Sequence, residues 1–102
     1  MLLQNKRAII TGGSMGLGLA IAKAFVAQGA SVMICARDSV ALENALEELR
    51  AIPANNRQTI RAHVCDVSDE SQVDRLFAQA LESMGGLDIL VNNAGVYGPK
   101  GS

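Results

Sequence analysis

Short apolar runs bounded by glycine or polar residues alternate along this chain with stretches whose apolar positions recur at helical spacing. The first pattern predicts strands and the second predicts helices. Arg-Ala-Ile-Ile-Thr at residues 7–11 runs into glycines and predicts a buried strand. Residues 14–28 carry Leu17, Ile21, Ala24 and Phe25 at helical spacing, and Gly29 stops this first helix. Ser-Val-Met-Ile-Cys-Ala at residues 31–36 predicts a second buried strand. Asp38 or Ser39 caps a second helix with the apolar face Leu42, Ala45, Leu46 and Leu49, broken by Pro53 and Asn55-Asn56. Residues 59–65 alternate, with Ile60, Ala62 and Val64 inward and Arg61 and His63 outward, which predicts a third, shallower strand. Ser68 caps a third helix, with Asp69 and Glu70 in its first turn. Its buried face is Val73, Leu76, Phe77, Ala80, Leu81 and Met84. Gly85-Gly86 end it, residues 87–92 form a fourth strand, and residues 94–102 read as loop.

Strands that alternate with single helices imply parallel βαβ units, because a parallel crossover needs about a dozen residues or more. Right-handed crossovers restrict the topology, and an α/β fold with strand order 3-2-1-4, half of a doubly wound sheet, is expected. The order reverses between strands 1 and 4. Ligands of such sheets bind at that switch point, beyond the carboxyl ends of the strands.

Composition narrows the class. The 102 residues are 49% hydrophobic, 19% charged and 3% aromatic, which excludes a disordered tail and fits one small domain. Nine basic and ten acidic residues are scattered, so no nucleic-acid surface is expected. The longest apolar run, residues 32–36, is far below the ~18 residues of a membrane span. The first six residues have no apolar core fit for a signal peptide, so a cytoplasmic protein is expected. Cys35, Cys65 and the lone His63 cannot complete a metal site. Two buried thiols are the reading that suits a reducing compartment; a disulfide between adjacent strand ends is the alternative. His63, on the polar side of its strand, is expected to be exposed.

The turn Thr11-Gly12-Gly13-Ser14-Met15-Gly16-Leu17-Gly18 joins the first strand to its helix. Glycines let backbone approach a phosphate, and a helix N-terminus offers free N–H groups and about half a positive charge. A tight turn without a ligand is the bland alternative. A triphosphate-hydrolysing P-loop is excluded, since Leu19 and Ala20 stand where lysine and serine or threonine are required. The GxGxxG fingerprint does not fit either, because three residues separate Gly12 from Gly16.

The spacing Thr-Gly-x-x-x-Gly-x-Gly resembles the short-chain dehydrogenase/reductase family. Asp66-Val67 at the end of strand 3 and Asn92-Asn93-Ala94-Gly95 at the end of strand 4 match the same family in the same order. The resemblance covers essentially the whole chain and implies a Rossmann-like cofactor-binding domain. It implies that Gly12 and the backbone of Ser14, Met15, Gly16 and Leu17 surround the cofactor's phosphates and adenosine ribose. Gly18 would permit close helix–strand packing. Asp66 would accept a hydrogen bond from the adenine amino group, and Val67 would add a backbone contact. Asn93, Ala94 and Gly95 would line the floor under the cofactor. Asn92 reads better as a polar strand end satisfied by its own neighbours.

The end of strand 2 selects the cofactor. An NAD enzyme carries an acid there for the ribose 2′-hydroxyl. Here Ala36 is followed by Arg37, whose guanidinium suits a 2′-phosphate, so NADP(H) is expected over NAD(H). Met15 supplies no second base in the glycine turn. The plain alternative for Arg37 is a solvated surface arginine. The missing acid also tells against an S-adenosylmethionine methyltransferase.

The family's chemistry uses a tyrosine, with a lysine four residues later, to move a proton at the substrate oxygen during hydride transfer between carbonyl and alcohol. The only tyrosine, Tyr97, lies in the last loop, with Lys100 three residues on and Gly98-Pro99 between them. No catalytic residue is assigned. The expectation is an NADP(H)-dependent oxidoreductase represented by its adenosine-binding half, truncated before the catalytic half and inactive alone. A stand-alone nucleotide-binding or interaction module is the alternative. The outer edge of strand 4, residues 89–91, is expected to promote self-association.

Overall fold

Strand and helix alternate in the predicted order. The computed structural model describes residues 2–53, 55 and 57–93. It contains β1 (Arg7–Thr11), α1 (Gly16–Ala27), β2 (Ser31–Ala36), α2 (Ser39–Arg50), β3 (Ile60–Val64), α3 (Glu70–Met84) and β4 (Ile89–Asn92). The four strands form one sheet in the order β3-β2-β1-β4, and every neighbouring pair is parallel. Ile10 sits opposite Ile34 on one side and Val91 on the other. Among the described residues no helix is long and apolar enough to cross a membrane.

Strand periodicity divides the apolar residues between two layers. Ile10, Val32 and Ile34 pack with Ala22 and Val26 of α1 and with Leu42, Ala45 and Leu49 of α2. Ile9, Met33, Cys35 and Cys65 pack with Leu76 and Ala80 of α3 on the opposite side. The central strands β1 and β2 are therefore covered on both faces, which is why they read as unbroken apolar runs. Both cysteines are buried and free. Burial pushes the Cys35 thiol up to about 12 and raises that of Cys65. The thiolate is the reactive form, so burial disfavours reaction at both.

Three details depart from the pattern. The sheet-facing side of α1 is Gly18, Ala22 and Val26, while Leu17 is 67% exposed. The cause is close packing: a Cβ on Gly18 would overlap the Gly12 carbonyl oxygen and lie 2.9 Å from Asn93 Nδ2. No side chain fits at that first turn of the helix. In α3 the cap is Asp69 rather than Ser68: its carboxylate accepts from Ser71 N at 3.0 Å and Gln72 N at 3.4 Å. Ser68 instead donates to Asp66. At the sheet edge, Val64 is 51% exposed rather than inward and His63, opposite Cys35, is half-buried rather than exposed; on α3, Leu81 is 57% exposed rather than buried. In the described sheet β3 has a neighbour on one side only, and its last residue faces water. The second helix agrees with expectation: Asp38 caps it, accepting from Val40 N at 3.0 Å and Ala41 N at 3.2 Å.

At the amino end of the sheet, Arg7 clamps β1 to the chain entering β4. Its guanidinium Nε donates to Asp88 Oδ2 at 3.0 Å, Nη1 donates to the Gly85 carbonyl at 3.1 Å, and its backbone N–H donates to Asp88 Oδ2 at 2.9 Å. Hydrogen bonding to Arg7 holds the Asp88 carboxyl below its ordinary value. A depressed native value contributes stability above the unfolded value of 3.8, lost as pH falls through the native one. Denaturation of wild type and Asp88→Asn across pH should show the largest gap near neutrality, closing in acid below pH 3.8. A gap that stays constant with pH would contradict this. Gly18→Ala should cost about 1–3 kcal/mol in urea denaturation despite alanine's better helix propensity, because overpacking against backbone outweighs it. A stabilised Gly18→Ala variant would refute the packing argument.

Candidate functional site

The carboxyl ends of the four strands gather the polar groups that the layers exclude. Thr11 ends β1 and is nearly buried, and its hydroxyl lies 3.3 Å from the Val91 carbonyl and 3.2 Å from Asn92 Oδ1. Asn92 is thus satisfied by its neighbour strand, as expected. Asn93 Nδ2 donates to the Gly12 carbonyl at 3.3 Å. Gly13 N donates to the Cys35 carbonyl at 3.2 Å. The glycine turn is therefore tied to β2 on one side and to β4 on the other.

Gly12 at φ 64° and Gly16 at φ 58° take the left-handed conformation that glycine adopts without steric cost. A Cβ on Gly16 would meet open space. Between them Ser14 is half-buried and Met15 is 64% exposed. Met15 is the extended N-cap of α1, and among the described residues no side chain bonds to the N–H groups that follow it. The first turn of α1 has no acidic residue. The other two helices both have an aspartate cap. The start of α1 thus keeps its partial positive charge and its donors for something outside the helix.

The second half of the site lies at the ends of β2 and β3. Cys65 N donates to the Ala36 carbonyl at 3.0 Å, which holds the two strand ends together. Arg37 is exposed, and among the described residues it forms no salt bridge. Asp38, its neighbour, turns its carboxylate to the start of α2. Arg37 is close enough to Asp66 that its charge helps to lower the Asp66 carboxyl. The larger cause is Ser68, whose Oγ and N donate to Asp66 Oδ1 at 2.6 and 2.9 Å. Val67 is half-buried against the Cys35–Cys65 layer. Sequence reasoning missed Ser68 as a partner of Asp66, although the Asp-x-Ser spacing is the signal for such a turn.

Gly12, Ser14, Met15, Gly16, Leu17 and Gly18 thus lie on one turn, with Asn93 against it. Arg37, Asp66 and Val67 lie at the neighbouring strand ends. Ala94 and Gly95 fall outside the described residues, as do Tyr97 and Lys100. A donor-rich helix start on one side, with an exposed guanidinium and a carboxylate on the other, suits an elongated anionic ligand that ends in a polar ring.

Known proteins share this sequence and arrangement. An uncharacterized oxidoreductase of Mycobacterium bovis is 41% identical over 93 residues, 91% of this chain and 27% of that protein. A 3alpha-hydroxysteroid dehydrogenase of Mediterraneibacter gnavus is 38% identical over 96 residues, 94% of this chain and 38% of that protein. Across the most similar curated relatives the chain spans 27 to 38% of their length. The apo structure of glucose dehydrogenase from Caenorhabditis elegans superposes with a TM-score of 0.86 at 36% identity, covering 95% of this chain and 40% of that one. An actinorhodin polyketide ketoreductase solved with NADPH gives a TM-score of 0.77 at 34% identity, covering 86% of this chain and 32% of that one. The family model for short chain dehydrogenase matches residues 6–102, and with the fold and strand-end motifs in agreement the chain belongs to that family.

Proposed function

We propose that this chain forms the adenosine and phosphate half of an NADP(H) site in an oxidoreductase that exchanges hydride between a small carbonyl compound and its alcohol. The observation that carries this reading is the uncapped, acid-free start of α1 behind the glycine turn. A pyrophosphate needs donors and positive potential there, and backbone that can come close. Gly12, Ser14, Met15, Gly16 and Leu17 hold the phosphates and adenosine ribose, and Gly18 sets the approach of α1. Asp66 accepts from the adenine amino group with Oδ2, since its Oδ1 is taken by Ser68. Val67 adds a backbone contact. Asn93, Ala94 and Gly95 line the floor.

Arg37 binds the 2′-phosphate that distinguishes NADP(H) from NAD(H). No carboxylate at the end of β2 repels that phosphate, and Asp38 is occupied as a helix cap. The NADPH bound to a structural neighbour supports the same choice. When bound, the nicotinamide supplies or takes up the hydride. The proton at the substrate oxygen needs a positioned acid, and we assign none of these 102 residues to that role. Binding without turnover is the behaviour we assign to them.

Titration of NADPH and NADH into wild type and Arg37→Ala tests the cofactor assignment. Wild type should prefer NADPH. Arg37→Ala should lose about tenfold to a hundredfold of NADPH affinity, the worth of a charge-assisted bond, with NADH little changed. Equal wild-type affinity for the two cofactors would refute the assignment. β4 is the outer strand of the described sheet and Leu90 is 51% exposed, so we also assign self-association to that edge. Sedimentation velocity should show association that rises with concentration and weakens in Leu90→Lys. A single monomeric species at every concentration would contradict it.

A further inference from the structure

We infer that Ser68 is a positioning residue that aims the carboxylate of Asp66 at the adenine ring, with Gln72 holding the backbone beneath it. This inference rests on the dinucleotide reading above. A half-exposed aspartate ordinarily samples several staggered side-chain conformations. Freezing one of them on binding subtracts from affinity, and freezing it beforehand removes that cost.

The described contacts do that freezing at Asp66. Ser68 Oγ donates to Oδ1 at 2.6 Å, a short charge-assisted bond, and Ser68 N donates to the same oxygen at 2.9 Å. With Cα and Oδ1 both fixed, the direction of Oδ2 is fixed as well. No described residue donates to Oδ2.

The backbone of Asp66 is held from α3. Its N–H donates to Gln72 Oε1 at 2.8 Å, and its carbonyl accepts from Asp69 N at 3.0 Å. Gln72 is oriented in turn, because its Nε2 donates to Asp69 Oδ2 at 3.1 Å. The helix cap and the glutamine therefore hold the backbone of Asp66, and the serine holds its carboxylate.

Ser68 has no share in capping α3. The cap bonds run from Ser71 and Gln72 to Asp69. Ser68 is also exposed, so removing its hydroxyl opens no cavity. A role confined to shaping the loop predicts equal weakening for every dinucleotide. A role in aiming Asp66 predicts an effect that depends on the group the carboxylate reads.

The probe is the deamino analogue of NADPH, in which hypoxanthine replaces adenine and an oxygen replaces the amino group. The readout is the ratio of the two dissociation constants for wild type, Ser68→Ala and Ser68→Thr, with thermal melting alongside. Wild type should bind NADPH at least about tenfold more tightly than the analogue, as a hydrogen bond to a charged group is worth. Ser68→Ala should narrow that ratio by about threefold, the scale of ordering one side chain. Ser68→Thr, which keeps the hydroxyl, should restore it. A wild-type ratio retained in Ser68→Ala, or one that Ser68→Thr fails to restore, would overturn the inference while leaving the dinucleotide site standing. NADPH binding with no discrimination in wild type would also overturn it, because Asp66 would then not read the amino group. Binding of neither compound would bring down the inference and the reading beneath it together.

Discussion

How closely α1 can approach the end of β1 decides the geometry of the whole upper face of the sheet. Gly18 faces the Gly12 carbonyl with no space for a side chain, and Asn93 reaches the same carbonyl from β4. That contact places the start of α1 directly beyond β1. It also explains why α1 turns Gly18 and Ala22 to the sheet and leaves Leu17 outside. A larger residue would lift the helix and move its free N–H groups away from the strand ends.

Burial and polarity then separate along the strands. The middle of β1 and β2 is enclosed by α1 and α2 on one face and by α3 on the other. Among the described residues no buried side-chain polar atom lacks a hydrogen-bond partner. At the carboxyl ends lie the uncapped start of α1, the exposed Arg37 and the second oxygen of Asp66. The amino end is closed by the Arg7–Asp88 pair, which joins β1 to the start of β4. The sheet thus has one end stapled and one end open to a ligand. That polarity follows from the parallel arrangement, since every strand points the same way.

Much of this was legible in the residues. The interiors of β1 and β2 are apolar because both faces are covered, and their boundaries fell where predicted. The crossover lengths and hand restricted the topology, and the expected order β3-β2-β1-β4 is the one observed. The turn between Gly12 and Gly18 announced itself by glycine spacing. The parts that resisted reading share a cause, namely distance-dependent packing that periodicity does not encode. Helical spacing credits the large Leu17, whereas contact with backbone selects the small Gly18. Alternation places Val64 inward, whereas its position at the end of an edge strand exposes it. The cap of α3 is Asp69, while Ser68 one residue earlier turns its hydroxyl to Asp66, an ordering of polar neighbours that composition alone does not give.

The central claim is that the open ends of these parallel strands, from the glycine turn to Asp66, form one dinucleotide surface. Amide chemical-shift mapping on the isotopically labelled chain during NADPH titration tests it most directly. The account predicts the largest shifts at Ser14 to Gly18, at Arg37, at Asp66 and Val67, and at Asn93, with the Arg7–Asp88 end unmoved. Shifts centred on the Arg7–Asp88 end, or confined to the glycine turn with none at Asp66, would contradict it.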